Sequence, residues 1–358
     1  MPQPKVFIFA PADNSGESQN TLTDAGCELA LGEASWHTPQ GDNEDTMCVM
    51  AEGAVALTGT SIRSSPISRR IMEVSPDLRI VAKTTIGVDD VDVEAATDLG
   101  ILVTHAPTES NWGGVAEGTM AMMLALTKKI REKDERVKGG QWRDLDHQGT
   151  FFGRRHDGYP GITIGFVGLG RIASRVADML APWRVRLLAY DPYQDLDRFV
   201  LHNVEQVDFD TLLAESDIVS LHVVLTSETT HMIGRDQLAK MKPTASLINT
   251  SRGRVIDQVA LVEALNNGTI TSAALDVFED EPLPEGSPIL DLGHKVLLSP
   301  HMVSSNLGSG LRPGVRWATR SVLTAIGGEV PDNVFNKEVV RRWRERFGGI
   351  NLLEKSAA

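Results

Sequence analysis

Cysteine is nearly missing: Cys27 and Cys48 are the only two in 358 residues. Two thiols cannot build a disulfide framework, and the expectation is a chain for a reducing, cytoplasmic compartment. Positive charge is also scarce. Lys and Arg number 35 against 48 Asp and Glu, a net charge of −13. That balance argues against nucleic acid or an anionic membrane as the main partner. It also means that an anionic substrate must be held by a local cluster of cations. No apolar run reaches the length of a membrane span, and VFIFA near the N-terminus is too short for a signal-peptide core. The nine histidines form no H-E-x-x-H pattern and no Cys/His cluster, so no metal is expected. The remaining composition, 41% hydrophobic and 23% charged, is that of a globular protein with room for two cores.

The first hundred residues alternate apolar runs with helix-like stretches. KVFIFA, CELAL, AVALTGT, LRIVAKTT and ILVTH read as strands, and SPISRRIMEVS and DVEAATDLG as helices between them. This βα alternation predicts a small parallel sheet of five strands. Val115 to Lys138 reads as one long helix, apolar nearly all round at first and charged later, stopped by Gly139 and Gly140. A second alternation follows in ITIGFV, VRLLAY, DIVSLHV, ASLINT, SAALDV and VLLS. These six runs do not alternate polar with apolar, as suits strands covered on both faces of a doubly wound parallel sheet. A further helix is expected from about Leu307 to Ile326, and the tail RRWRERFGGINLLEKSAA is basic.

GFVGLGRIA carries Gly168-x-Gly170-x-x-Ala173, the spacing of a dinucleotide fingerprint between a strand and a helix. Gly168 permits a tight turn, Gly170 lets a pyrophosphate approach, and Ala173 keeps the helix close to the strand. Arg171 and Ile172 open the helix whose N–H groups face the phosphates. Asp191 ends the next strand, where a carboxylate bonds the adenosine ribose and repels a 2′-phosphate. NAD is therefore expected rather than NADP. Asp191 before Pro192 also suits a turn, and the two readings are compatible.

Three further sites, holding four residues, lie at or just after the ends of later strands. Arg252 follows ASLINT, Asp276 and Glu281 lie in ALDVFEDEP, and His301 follows VLLSP. Each has an ordinary reading as a loop residue. Together, beside a dinucleotide site, they suit hydride transfer to a 2-oxo acid. Arg pairs with a carboxylate through its planar fork. His supplies or takes the hydroxyl proton, and a carboxylate beside it fixes its tautomer.

GLGRIA, INTSRGRVID, ALDVFEDEP and SPH occur in an order and spacing that resemble the D-isomer-specific 2-hydroxyacid dehydrogenases. The resemblance runs from about residue 54 to 335. It implies an NAD-binding Rossmann domain, residues 111–303, inserted into a smaller flavodoxin-like α/β domain made of residues 1–110 and 304–358. It implies Arg252 on the substrate carboxylate and carbonyl, His301 as general acid/base and Glu281 as its partner. His222, Thr226, Asn249, Thr250 and Asp276 join the fingerprint as cofactor residues, and Lys83, Thr84, Thr85, Ile86 and Gly87 form a substrate loop. A homodimer acting on a small anionic 2-oxo or 2-hydroxy acid is implied as well. An NAD-sensing corepressor of the same fold is the alternative reading. The chain departs from the family's usual pattern at Val224, where proline is frequent, at Trp112, and at Val303, where glycine is common. At Val303 either the backbone avoids positive φ or the pocket is narrowed.

Overall fold

The computed structural model describes residues 3–34, 41–61, 65–307 and 311–353. The chain forms two compact units, Met1–Asn111 with Ser305–Ala358, and Trp112–Ser304. Both are α/β and both sheets are parallel.

In the first unit, β1 (Lys5–Ala10), β2 (Glu28–Leu31), β3 (Ala54–Gly59), β4 (Ile80–Lys83) and β5 (Leu102–Thr104) align in the order β2-β1-β3-β4-β5. Their unbroken apolar character follows from cover on both faces. One face packs Phe7, Leu57, Val81 and Val103 against Ile71, Met72 and Ala96. The other packs Val6, Ala56, Ile80 and Leu102 against the helix Arg312–Ile326 and the helix Val340–Phe347. The expected helix from Leu307 thus begins at Arg312, with 308–310 outside the described residues.

The basic C-terminal stretch proves to be a structural clamp as far as residue 353, beyond which it lies outside the described residues. Trp343 is fully buried, and its indole N–H donates to the Arg79 carbonyl at 2.9 Å. Arg79 lies over the Phe347 ring and donates to the carbonyls of Ala325, Ile326 and Ile350. Two of these end the helix Arg312–Ile326, so a buried guanidinium satisfies carbonyls that no further turn can reach.

The second unit holds β6 (Thr163–Val167), β7 (Arg186–Tyr190), β8 (Glu205–Gln206), β9 (Ile218–Leu221), β10 (Ser246–Asn249), β11 (Ser272–Leu275) and β12 (Val296–Leu298). Their order is β12-β11-β10-β9-β6-β7-β8. The order reverses about β6, giving the switch point where doubly wound sheets bind ligands. The seventh strand, β8, was not expected. It is two exposed residues at the sheet edge, with no apolar run to announce it.

The single helix expected over 115–138 is instead two, Glu109–Lys128 and Ile130–Lys138, broken at Lys129 with φ 50°. The Thr127 carbonyl accepts the Thr150 N–H at 2.8 Å, and the Lys128 carbonyl accepts Lys133 Nζ at 2.8 Å. With those acceptors engaged elsewhere, the i to i+4 ladder stops. Among the described residues no helix is long and apolar enough to cross a membrane.

Trp343→Ala should destabilise the first unit by about 3–5 kcal/mol, the usual cost of emptying a large buried aromatic site. Urea unfolding followed by circular dichroism measures this. A loss below about 1 kcal/mol would contradict the clamp.

Candidate active site

β10, β11 and β12 are parallel neighbours, so their chain exits share one edge of the sheet. His301 leaves β12 in a left-handed conformation, φ 58°. Its Nδ1 lies 2.9 Å from Glu281 Oε2. Glu281 Oε1 accepts the Phe278 N–H at 2.9 Å, so the carboxylate is held from both sides. The Glu281 side chain is 13% exposed and that of His301 37%. With Nδ1 on the carboxylate, Nε2 is the nitrogen left for proton exchange.

Asp276 is 3% exposed. Its Oδ1 accepts the N–H groups of Met302 at 2.8 Å and Val303 at 3.3 Å, pinning the chain just past His301. Burial pushes its carboxyl above the ordinary range, against the opposing pull of Ser299, His301 and those two N–H groups.

Arg252 sits in a tight turn. Asn249, fully buried, donates from Nδ2 to the Arg252 carbonyl at 2.9 Å and accepts from the Ser251 N–H at 3.0 Å. The Asn249 side chain is therefore occupied with shaping the turn. Gly253 rests on the backbone of Phe278, where an added Cβ would lie 1.8 Å from the carbonyl oxygen. No side chain fits there, so glycine lets the Arg252 turn touch the segment that carries Glu281. Thr250 is buried, its hydroxyl 3.0 Å from that of Thr119.

At the switch point Gly168 has φ 89°, and a Cβ there would lie 2.8 Å from the His222 carbonyl. A Cβ on Gly170 would meet nothing within 4 Å. That open space at the start of the ten-residue helix Arg171–Leu180 suits a dinucleotide phosphate, and Ala173 is buried beneath it. Asp191 accepts the Leu169 N–H at 2.8 Å and the Tyr193 N–H at 2.9 Å, joining the glycine turn to its own. Arg198, which the sequence reading overlooked, donates from Nε to the Leu169 carbonyl at 2.6 Å. Its position seven residues beyond Asp191, at the start of a short helix, was the available signal. Thr226 is exposed, in a turn closed by Thr229. His222 Nε2 lies 2.9 Å from the Ser220 hydroxyl, and packing around the ring lowers its imidazole from 6.5 to about 3.

In the first unit, Thr84 and Thr85 are buried, and the carbonyls of Thr85, Ile86 and Gly87 bond Ala106, His105 and the Thr85 hydroxyl. Among the described residues no acceptor meets the N–H groups of Thr85, Ile86 or Gly87. Lys83 departs from the expected loop. It is fully buried, with Nζ 2.6 Å from Asp90 and 3.0 Å from the Thr60 carbonyl. Burial lowers its pKa while Asp90 opposes that shift, so Lys83 is a core cation rather than a ligand contact.

Val303 takes the first of its two expected courses, since its φ is not positive. Its side chain packs into the core of the second unit, over Gly118 of the helix Glu109–Lys128, where a Cβ would lie 2.5 Å away. Val224 is 75% exposed.

A parallel sheet that reverses at a glycine turn binds dinucleotides, and a His–Glu pair on its edge suits moving a proton alongside a hydride. The class is therefore a dinucleotide-linked oxidoreductase. Residues 120–303, about half of the chain, match the family model described as D-isomer specific 2-hydroxyacid dehydrogenase, NAD binding domain. A glyoxylate reductase of Thermofilum pendens is 42% identical over 342 residues, covering 95% of this chain and 97% of its own. A D-3-phosphoglycerate dehydrogenase of Mycobacterium leprae is 38% identical over 273 residues, covering 76% of this chain and 49% of its own. A solved D-lactate dehydrogenase from Aquifex aeolicus, complexed with NAD and lactic acid, is similar with a TM-score of 0.78 and 28% identity, covering 91% of this chain and 96% of its own. The chain belongs to the D-isomer-specific 2-hydroxyacid dehydrogenase family. Its reaction is hydride transfer between a nicotinamide dinucleotide and C2 of a small 2-oxo or 2-hydroxy acid.

Because the folded protein holds His222 neutral down to about 3, the unfolded chain binds more protons between there and 6.5. That part of the stability is fully present above pH 6.5 and is lost as pH falls toward 3. Melting temperatures across this window should fall less steeply in His222→Gln than in the parent. Identical acid slopes would contradict the burial assigned to this ring.

Proposed function

We propose that the protein reduces glyoxylate or a similarly small 2-oxo acid, with NADH preferred over NADPH. The observation that carries this reading is the 2.9 Å contact between His301 Nδ1 and Glu281 on the edge shared with Arg252. The bound nicotinamide supplies the hydride to C2. His301 Nε2 gives its proton to the C2 oxygen, which becomes the hydroxyl. Glu281 holds the ring in position and offsets the imidazolium charge. Arg252 pairs with the substrate carboxylate. The unit Trp112–Ser304 is the cofactor domain, and the unit formed by both chain ends is the substrate domain.

Asp191 supports the NADH preference, since its carboxylate beside the glycine turn repels a 2′-phosphate. Gly168, Gly170, Arg171 and Ile172 hold the pyrophosphate, with His222 and Thr226 on the wall nearby. Asp276 and the Asn249 and Thr250 backbone flank the nicotinamide. The similarity to glyoxylate reductases supports the substrate size. The exposed apolar side chains of Ile130, Val137, Trp142 and Leu145 support a homodimer, and the two free cysteines suit a cytoplasmic setting.

The test is cofactor oxidation, followed by nicotinamide absorbance, with NADH and NADPH over glyoxylate, hydroxypyruvate, pyruvate and phenylpyruvate. Turnover of the smaller acids with NADH is expected, and no turnover of any would refute the proposal. His301→Asn should abolish it while leaving NADH binding intact. Arg252→Ala should lose roughly 2–5 kcal/mol of transition-state binding, the cost of removing a charged, desolvated partner. Reduction takes up a proton along with the hydride, so raising pH should shift the balance from reduction toward oxidation of the hydroxy acid.

A further inference from the structure

A second His–Glu contact lies in the same unit, away from the His301 nitrogen that exchanges protons. His231 Nε2 is 2.8 Å from Glu279 Oε1, with side-chain exposures of 49% and 28%. The same Glu279 oxygen accepts the Gln258 N–H at 3.2 Å, where the helix Gln258–Asn266 begins. Gln258 answers by accepting the Glu279 N–H through Oε1 at 3.4 Å. His231 has φ 52°, and its own N–H donates to the Arg254 carbonyl at 2.7 Å. Ile233 continues the contact, donating to the Val255 carbonyl at 3.1 Å and accepting from Asp257 at 3.0 Å.

Three segments converge on this clasp. One follows β9 and carries Thr226. The second is the Arg252 turn and the helix start behind it. The third is the 276–281 segment, in which Glu279 stands two residues before Glu281. The route from clasp to site is short. Gly253 lies directly on the Phe278 carbonyl, and the Phe278 N–H holds Glu281. Any shift of Glu279 therefore moves both the floor of the Arg252 turn and the support of the His301 partner. An ion pair this exposed contributes little to global stability, whereas small misplacements of reacting groups are costly to rate.

We propose that His231 and Glu279 are positioning residues, which set Arg252 in register with the Glu281–His301 pair. The inference rests on the roles given above to Arg252 and His301. Neither His231 nor Glu279 touches the reacting atoms.

The test compares Glu279→Ala, Glu279→Gln and His231→Ala with the parent in glyoxylate reduction, alongside NADH titration and thermal melts. Glu279→Ala should lose at least about tenfold in kcat/KM for glyoxylate, on the scale of a misplaced reacting group. Its NADH dissociation constant should change less than about twofold, as the clasp lies outside the phosphate turn. Glu279→Gln keeps an oxygen for Gln258 and His231 and should recover most of the loss. His231→Ala should resemble Glu279→Ala. Unchanged kcat/KM in Glu279→Ala would overturn the proposal. So would a parallel collapse of melting temperature, NADH affinity and activity, which marks a merely structural role. Failure of the parent to reduce glyoxylate or any other 2-oxo acid, or a normal Arg252→Ala, would instead strike the reading of the site itself.

Discussion

The contact between Glu281 and His301 joins two residues twenty positions apart, and it depends on β11 and β12 being adjacent and parallel. Parallel neighbours deliver their next residues to one edge, so a side chain following each strand can meet its neighbour without a long loop. β10, on the other flank of β11, adds Arg252 by the same rule. The meeting of the His–Glu pair and the placing of Arg252 on the same edge are therefore consequences of strand order. Local backbone choices finish the geometry: left-handed φ at His301, a glycine at 253 pressed on Phe278, and Asp276 bonding the two N–H groups past His301.

The same economy governs the buried charges of the first unit. Lys83 meets Asp90 and a carbonyl, and Arg79 meets three carbonyls and an aromatic ring. A charge removed from water is tolerated when it meets an opposite charge or converging carbonyls. Lys83 closes the base of the 84–87 loop, and Arg79 fastens the C-terminal helices. Both act through geometry rather than through contact with a ligand.

Much of this was legible in sequence because the signals are local. The strand runs were visible as continuous apolar segments, and the glycine turn, the Arg252 turn and the His301 exit each follow such a run. What escaped has long-range causes. The break at Lys129 depends on Thr150, more than twenty residues away, capturing the Thr127 carbonyl. The burial of Lys83 depends on Asp90 and Thr60 folding around it. The inward course of Val303 depends on a glycine at 118, on a helix far earlier in the chain. β8 is two exposed residues tied to β7 by its ladder and by Glu205 reaching Arg186, nineteen positions earlier, so no apolar run marked it.

The central claim is that His301 gives its proton to the C2 oxygen while Arg252 holds the carboxylate. The most direct measurement is a crystal structure with NAD and oxamate, an unreactive analogue carrying a carboxylate beside a carbonyl. The account predicts the oxamate carbonyl oxygen within about 3.2 Å of His301 Nε2 and the carboxylate within the same reach of the Arg252 guanidinium. Oxamate bound with its carbonyl turned away from His301, or with its carboxylate paired to another cation, would contradict it.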